Sequence, residues 1–243
     1  SEFGGIDPGQ LQQELGIDDD LRSHVDAVVS KRTPVADTEV YTLLSKRLFK
    51  AANPDVVNRV VDAYYATVYD PLRDEGALDP NVFTTDYRRQ MVEAYPFHPE
   101  LIDVLYKKWG ASGDFPRTRT VLQLLANVVA EQWTAKRGAY SIQSGHVNLE
   151  RERTRTKVLS AIGAGVANDA VVAADIIGGD AHADGFDERR GGEYAQHHIA
   201  RGVATTILLH SSGAQLRAGA MPSDLRLGTI SPLLGRQYAD EVI

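Results

Sequence analysis

The sequence predicts a mainly α-helical protein. Apolar residues recur every three or four positions, as in Val40, Leu43, Leu44 and Leu48, and again in Val121, Leu124, Leu125, Val128 and Val129. Breaking and capping residues fall between these runs: Pro34, Pro54, Gly110 and the pair Gly113–Asp114. Strand-like alternation is confined to the short Ala139–Ile142 and to Val203, Thr205, Ile207 and Leu209.

With 243 residues the chain can bury a sizeable core in one or two domains. A net charge of -7 excludes a protein that coats nucleic acid or anionic membrane with its whole surface, though not one with a local basic patch. There is no cysteine, hence no disulfide framework, thiolate metal site or thiol nucleophile. No apolar run approaches a membrane span and no signal peptide is visible, so the expected location is cytoplasmic, with no membrane partner. The opening Ser1–Glu2–Phe3–Gly4–Gly5 reads as a cloning remnant, and residues 1–10 as a flexible start. Both ends read as those of a piece cut from a longer protein.

Taken in order, Ile17–Lys31 predicts a helix entered through Asp18–Asp19–Asp20, with Leu21, Val25, Val28 and Val29 on its apolar side. A second helix begins near Asp37, and a third runs from about Asp55 to Tyr69 after an interruption at Pro54. Asp70–Pro71 and Asp79–Pro80 predict a loop-rich connection. Thr84 or Thr85 caps a helix over Asp86–Ala94. Tyr95–Pro96–Phe97–His98–Pro99 predicts a rigid packing corner in which His98 forms structural hydrogen bonds. Pro99 and Glu100 then open an amphipathic helix with Leu101, Ile102, Leu105, Tyr106 and Trp109, ended by Gly110.

Beyond Gly138 the texture changes. Glu150–Val172 predicts a long helix with a weak middle at Gly163 and Gly165. The glycine-rich, charged stretch near 178–192 predicts an exposed loop. Over 200–208 both periods fit, and the length of the run favours a helix. Two units follow: a helical one over 11–138 and a second, mostly helical one over 139–243, for which a winged-helix form is open.

The helix after Gly113–Asp114 organises the first unit. Pro116 suits a first helical position, and an apolar stripe from Val121 to Val129, widened by Leu122 and Trp133, buries its body. Arg117 and Arg119 are left on the first turn. Cations there oppose the helix dipole, at a cost of about a few tenths of a kcal/mol each, unless they meet an anion such as phosphate. The ordinary alternative is an ion pair with Asp114 or Glu131.

No Gly-x-x-x-x-Gly-Lys-Ser/Thr loop, Gly-x-Ser-x-Gly elbow or His-Glu-x-x-His pair occurs, and no catalytic residue is assigned. The densest basic cluster is Glu150–Lys157. As a helix it places Arg151 with Arg155, and Arg153 with Lys157, in two like-charged rows that could follow a phosphate backbone. Its interleaved glutamates favour an ordinary solvated face. His182, Asp184, Asp187, Glu193, His197 and His198 offer ligand atoms, but their spacing matches no tight ligand motif, and no metal site is assigned.

The central helix resembles the lid of AAA+ ATPases, especially that of archaeal origin-recognition proteins, in which Gly-Asp and an arginine precede a Leu-x-Leu-Leu body. Aligning on Leu122–Gln123–Leu124–Leu125 puts Arg119 on the nucleotide-sensing (sensor-2) arginine of those lids, with Arg117 as the competitor. Leu43–Phe49 resembles the first lid helix. A closer resemblance is to the P-loop ATPase family known as domain of unknown function 499. It is carried by Arg47–Leu48–Phe49, the Tyr95–Ile102 corner, the Phe115–Leu122 helix start and Arg201–Ile207, and it covers most of the chain from about Leu11.

The resemblance implies the C-terminal-side part of a AAA+-like ATPase of phage defence or another DNA transaction, with a helical lid and an appended module. ATP and Mg²⁺ would belong to the full-length protein, whose core lies upstream, and none is expected for this fragment, which is expected to be inactive alone. Implied partners are that core and DNA or defence-system proteins, with a homo-oligomer also open. The alternative is a DNA- or protein-binding helical module with no role in nucleotide chemistry.

Overall fold

The structure, a computed structural model, describes residues 37–109, 117–135, 138–162, 166–211, 219–234 and 238. The expected helix at Ile17–Lys31 lies outside these residues, as do Gly110, Asp114, Gly163 and Gly165. The chain divides into two compact units, residues 1–40 and 41–243, and the architecture below is that of the second. It is mainly α-helical, with no strand among the described residues. None of its described helices is long and apolar enough to cross a membrane.

Helix α1, Asp37–Leu48, leads in. Helix α2, Pro54–Tyr64, starts at Pro54 itself, because Asn53 supplies the cap: its Oδ1 accepts from Asp55 N at 2.9 Å. It continues through a π-helical turn, Tyr65–Tyr69, into Asp70–Leu72. The expected loop at Asp70–Pro71 is therefore helical. Pro71 stands in the first turn after the π-helical residues, where its missing N–H is tolerated. Val61, Tyr64, Val68, Tyr69 and Leu72 enter one core with Val82, Tyr87 and Met91. Asp79 caps a short 3₁₀ turn, Pro80–Phe83, and Thr84 caps α3, Thr85–Ala94, by accepting from Tyr87 N at 3.2 Å.

The corner comes next. Ile142 donates to Pro96 O at 2.8 Å and His98 donates to Ile142 O at 2.9 Å. The expected short strand at Ala139–Ile142 is reduced to this isolated bridge between Phe97 and Ile142. Helix α4, Pro99–Asp103, runs into a second π-helical turn, Val104–Lys108. Then follow α5, Arg117–Ala135, and a 3₁₀ turn, Ser144–His146. The expected single helix over Glu150–Val172 is seen as α6, Glu152–Ala161, and α7, Val166–Val171, which passes into a third π-helical turn, Val172–Ile176.

The expected loop at 178–192 is instead α8, His182–Arg190, followed by α9, Gly192–His197. Its polar composition hides a buried side, on which Ala183 and Asp187 face inward. Gly191 and Gly192, at φ 67° and 54°, make the break between the two helices.

Helix α10, Ile199–His210, is the axis of the second half, and α11, Pro222–Thr229, lies against it. It also packs on α8, on the 144–146 turn and on the π-helical turns at 104–108 and 172–176. Backbone meets backbone where Gly145, Gly202 and Gly228 converge. A Cβ on Gly228 would stand 2.6 Å from Thr206 Cγ2, and Thr206 is held by its own bond to Gly202 O at 2.9 Å. Gly228→Ala is expected to cost about 1–3 kcal/mol by overpacking. Urea unfolding of Gly228→Ala alone and with Thr206→Ala checks this. If the second change restores none of the loss, the clash is not with Thr206.

Candidate functional site

Helix α5 buries Val121, Leu124, Leu125 and Val128 against α6 and the 104–108 turn. Its first turn holds no acidic residue. Arg119 is exposed there and makes no ion pair or hydrogen bond among the described residues. The side chain of Arg117 lies outside them. Glu131 does not pair with Arg119: it sits three turns on, and its Oε1 accepts from Thr154 Oγ1 at 2.6 Å. Burial holds the Glu131 carboxyl above the usual range, against the lowering effect of that bond. Trp133 does not widen the apolar stripe; it is 85% exposed. Twelve residues past Val121, it lies about 120° around the helix from the buried face.

The basic cluster is partly folded back on the protein. Arg155 Nε donates to Asp169 Oδ1 at 2.8 Å and its Nη1 to Leu149 O at 3.0 Å. Lys157 Nζ donates to Gln123 Oε1 at 2.8 Å. Arg151 and Arg153 are exposed at the start of α6.

The densest buried chemistry joins residues far apart in sequence. Glu100 Oε1 accepts from Ser144 Oγ at 2.6 Å and from His210 Nε2 at 2.7 Å. The other nitrogen of His210 lies 3.4 Å from Asp224 Oδ2 and 2.9 Å from Lys108 Nζ. Lys108 can donate there only to a neutral ring, whereas an imidazolium turns that N–H toward Asp224. Burial alone would lower the His210 pKa, but the bonds to Asp224 and Glu100 together outweigh it and leave it raised. Burial likewise opposes ionisation of Asp224, yet the bonds from His210 and Met221 N hold its pKa below the usual value. The imidazolium between two carboxylates is thus the state these groups favour.

His98 is the structural residue the corner requires. Its Nδ1 accepts from Glu100 N at 3.3 Å, capping α4, so its proton sits on Nε2 and is donated to Tyr69 OH at 2.6 Å. Burial lowers its pKa to about 4, with Glu100 opposing. Sequence reasoning singled out the corner but missed Lys108, Ser144, His210 and Asp224. Their only local signal is the capping pair Met221–Asp224, in which Met221 N donates to Asp224 Oδ2 at 2.9 Å.

Asp184, Asp187 and His198 bring ligand atoms within 4.8 Å of one another. Both carboxylates are already engaged. Asp187 accepts from Ala200 N at 2.8 Å and Arg201 N at 3.0 Å, capping α10 from a distant helix. Asp184 accepts from Gly178 N at 2.9 Å and lies 3.3 Å from Arg201 Nη1. That guanidinium supplies the positive charge that a metal ion would bring.

No curated protein and no solved structure matches the chain. The family model described as the DUF499 second domain matches residues 35–223, which include the corner, the α5 arginines and the buried network up to His210. Spanning most of the sequence, that match shows that the chain belongs to the DUF499 family.

Proposed function

We propose that this chain is the lid-bearing, C-terminal-side part of a AAA+-like P-loop ATPase, in which Arg119 senses nucleotide. The observation that carries the proposal is an exposed arginine without a partner among the described residues, at the positive end of a 19-residue helix whose body is anchored in the core. A cation there gains most from an anion brought to it, and phosphate fits its planar fork. Residues 11–138 would form the lid and 139–243 the appended module. ATP with Mg²⁺ supplies the phosphoryl chemistry when bound. Arg119 fits one side of such a site, but the sequence has no glycine-rich loop and lysine to cradle the phosphates, so these would come from an upstream core. The setting would be a cytoplasmic phage-defence or DNA-transaction system.

In the full-length protein, Arg119→Ala is expected to lower ATP turnover some tens- to hundreds-fold, which is about 2–4 kcal/mol of lost transition-state stabilisation. The accompanying loss of folding stability should be below about 1 kcal/mol. Arg117→Ala is the internal control, since neighbouring first-turn residues point well apart. A large effect of Arg117 alone keeps the lid and moves the sensor. If neither change alters turnover or ATP affinity, a DNA- or protein-binding module is the better description, and Arg151 and Arg153 are its first candidates.

A further inference from the structure

We infer that the cavity between the 138–148 turn, the α9–α10 junction and the end of α11 is a binding site for a small ligand carrying a phosphate-type oxyanion. The cavity encloses about 290 Å³, close to the lower end of small-molecule sites. Arg201, His146, His197, His198, Asn148 and Thr229 bring its polar groups, and no aspartate or glutamate occurs among its described lining residues. A wall of hydroxyl, imidazole and guanidinium groups suits an acceptor-only ligand such as phosphate, the carboxylates that steady it lying behind the lining, as Glu193 Oε2 does at 3.0 Å from His197 Nε2.

Two side chains point to a missing acceptor. Thr229 Oγ1 is buried and has no hydrogen-bond partner among the described residues, although buried hydroxyls are nearly always paired. Arg201, only 8% exposed, uses Nη1 on Glu150 at 2.6 Å and on Asp184 at 3.3 Å. The rest of its guanidinium takes no partner among the described residues. Glu150 and Asp184 do not line the cavity, so they hold the guanidinium from outside it.

The walls are built to stay in place. His198 is a non-glycine residue in the left-handed region, at φ 50° and ψ 54°, and it turns the chain directly from α9 into α10. Such strain persists only where the surroundings impose it, and it is common at ligand sites. Gly145 forms another part of the wall, where a Cβ would stand 2.9 Å from Gly228 O. Gln143 N donates to His146 Nδ1 at 3.0 Å, which orients the ring and puts its proton on Nε2. The site is separate from Arg119, which lies some 16 residues, or about 24 Å, from the near end of α5. Either proposal can therefore fail without the other.

The test is an NMR titration of the 243-residue chain with inorganic phosphate and with adenosine monophosphate, against sodium chloride at matched ionic strength. The imidazole signals of His146, His197 and His198 are expected to shift saturably with millimolar affinity for phosphate. Tighter binding of the monophosphate would assign an organic phosphate, and equal binding the free ion. Arg201→Gln would strand two carboxylates and risks misfolding, so Thr229→Val and His197→Gln are the informative variants. Both should keep the parent melting temperature, and each should weaken binding by about five-fold, as expected for loss of one donor. Shifts no larger than those in sodium chloride, or equal affinity in the parent and both variants, would overturn the proposal.

Discussion

Glu100→Ala is expected to destabilise the chain by about 3–5 kcal/mol, the range for removing one partner of a buried ion pair. Glu100 and His210 are both almost completely buried, and their contact at 2.7 Å joins α4 to the end of α10. The alanine variant leaves Ser144 Oγ without its acceptor and His210 with Asp224 as its one remaining carboxylate. Trp109 and Lys108 reach the same region, through Leu209 O at 3.0 Å and His210, so the loss should spread to the packing of the 104–108 turn on α10. Glu100→Gln keeps an acceptor for Ser144 and removes only the charge, so its cost should be nearer 1–3 kcal/mol, and the His210 pKa should fall. Urea unfolding gives the energies and the histidine NMR signals give the titration. A loss below about 1 kcal/mol in Glu100→Ala would show that the network does not join these helices.

The second large effect is acid sensitivity through His98. Its folded pKa of about 4 lies below the ordinary histidine value of 6.5, because burial disfavours the charged ring. Above pH 6.5 the ring is neutral in both states and its contribution is fully present. As pH falls from 6.5 to 4, the unfolded chain takes up a proton that the folded chain refuses, and stability is lost. The shift corresponds to about 3 kcal/mol over that window. His210 has the opposite sign: its raised pKa gives stability that is complete below 6.5 and is lost as pH rises through the folded value. The loss on acidification is therefore assigned to His98 by comparison with His98→Asn, in which the amide oxygen can still cap Glu100 N. The parent should lose more stability than the variant between pH 7 and 4 in urea titrations. Identical pH slopes would mean that His98 is not held neutral in the folded state.

Much of the fold was legible in the sequence, because helix starts, stops and buried faces are short-range properties. Thr84, one of the two expected caps, closes the start of α3 with its own side chain. The periodic valines and leucines of α2 and α5 bury the faces that 3.6-residue spacing brings together. The α10 segment, which fits both periods, is a helix, as its length suggested. Arg119 likewise stands exposed on the first turn of α5, as its place ahead of the apolar stripe implies.

Only the tertiary structure decided what the polar residues do. The 178–192 stretch reads as a loop by composition, yet His182–Arg190 is helical, with Asp187 and Asp184 accepting from backbone N–H groups on α10 and at Gly178. Trp133 counts toward an apolar stripe by residue type, but its angle around α5 places it outside. Glu100 and His210 are 110 residues apart, and neither has a local pattern that marks it for burial as a charged pair. Periodicity and caps act within one or two turns of a helix, so the sequence determined those helices whose apolar face and ends are marked locally. Whether a charge may be buried depends on a partner brought from elsewhere in the chain, and that only the packed structure supplies.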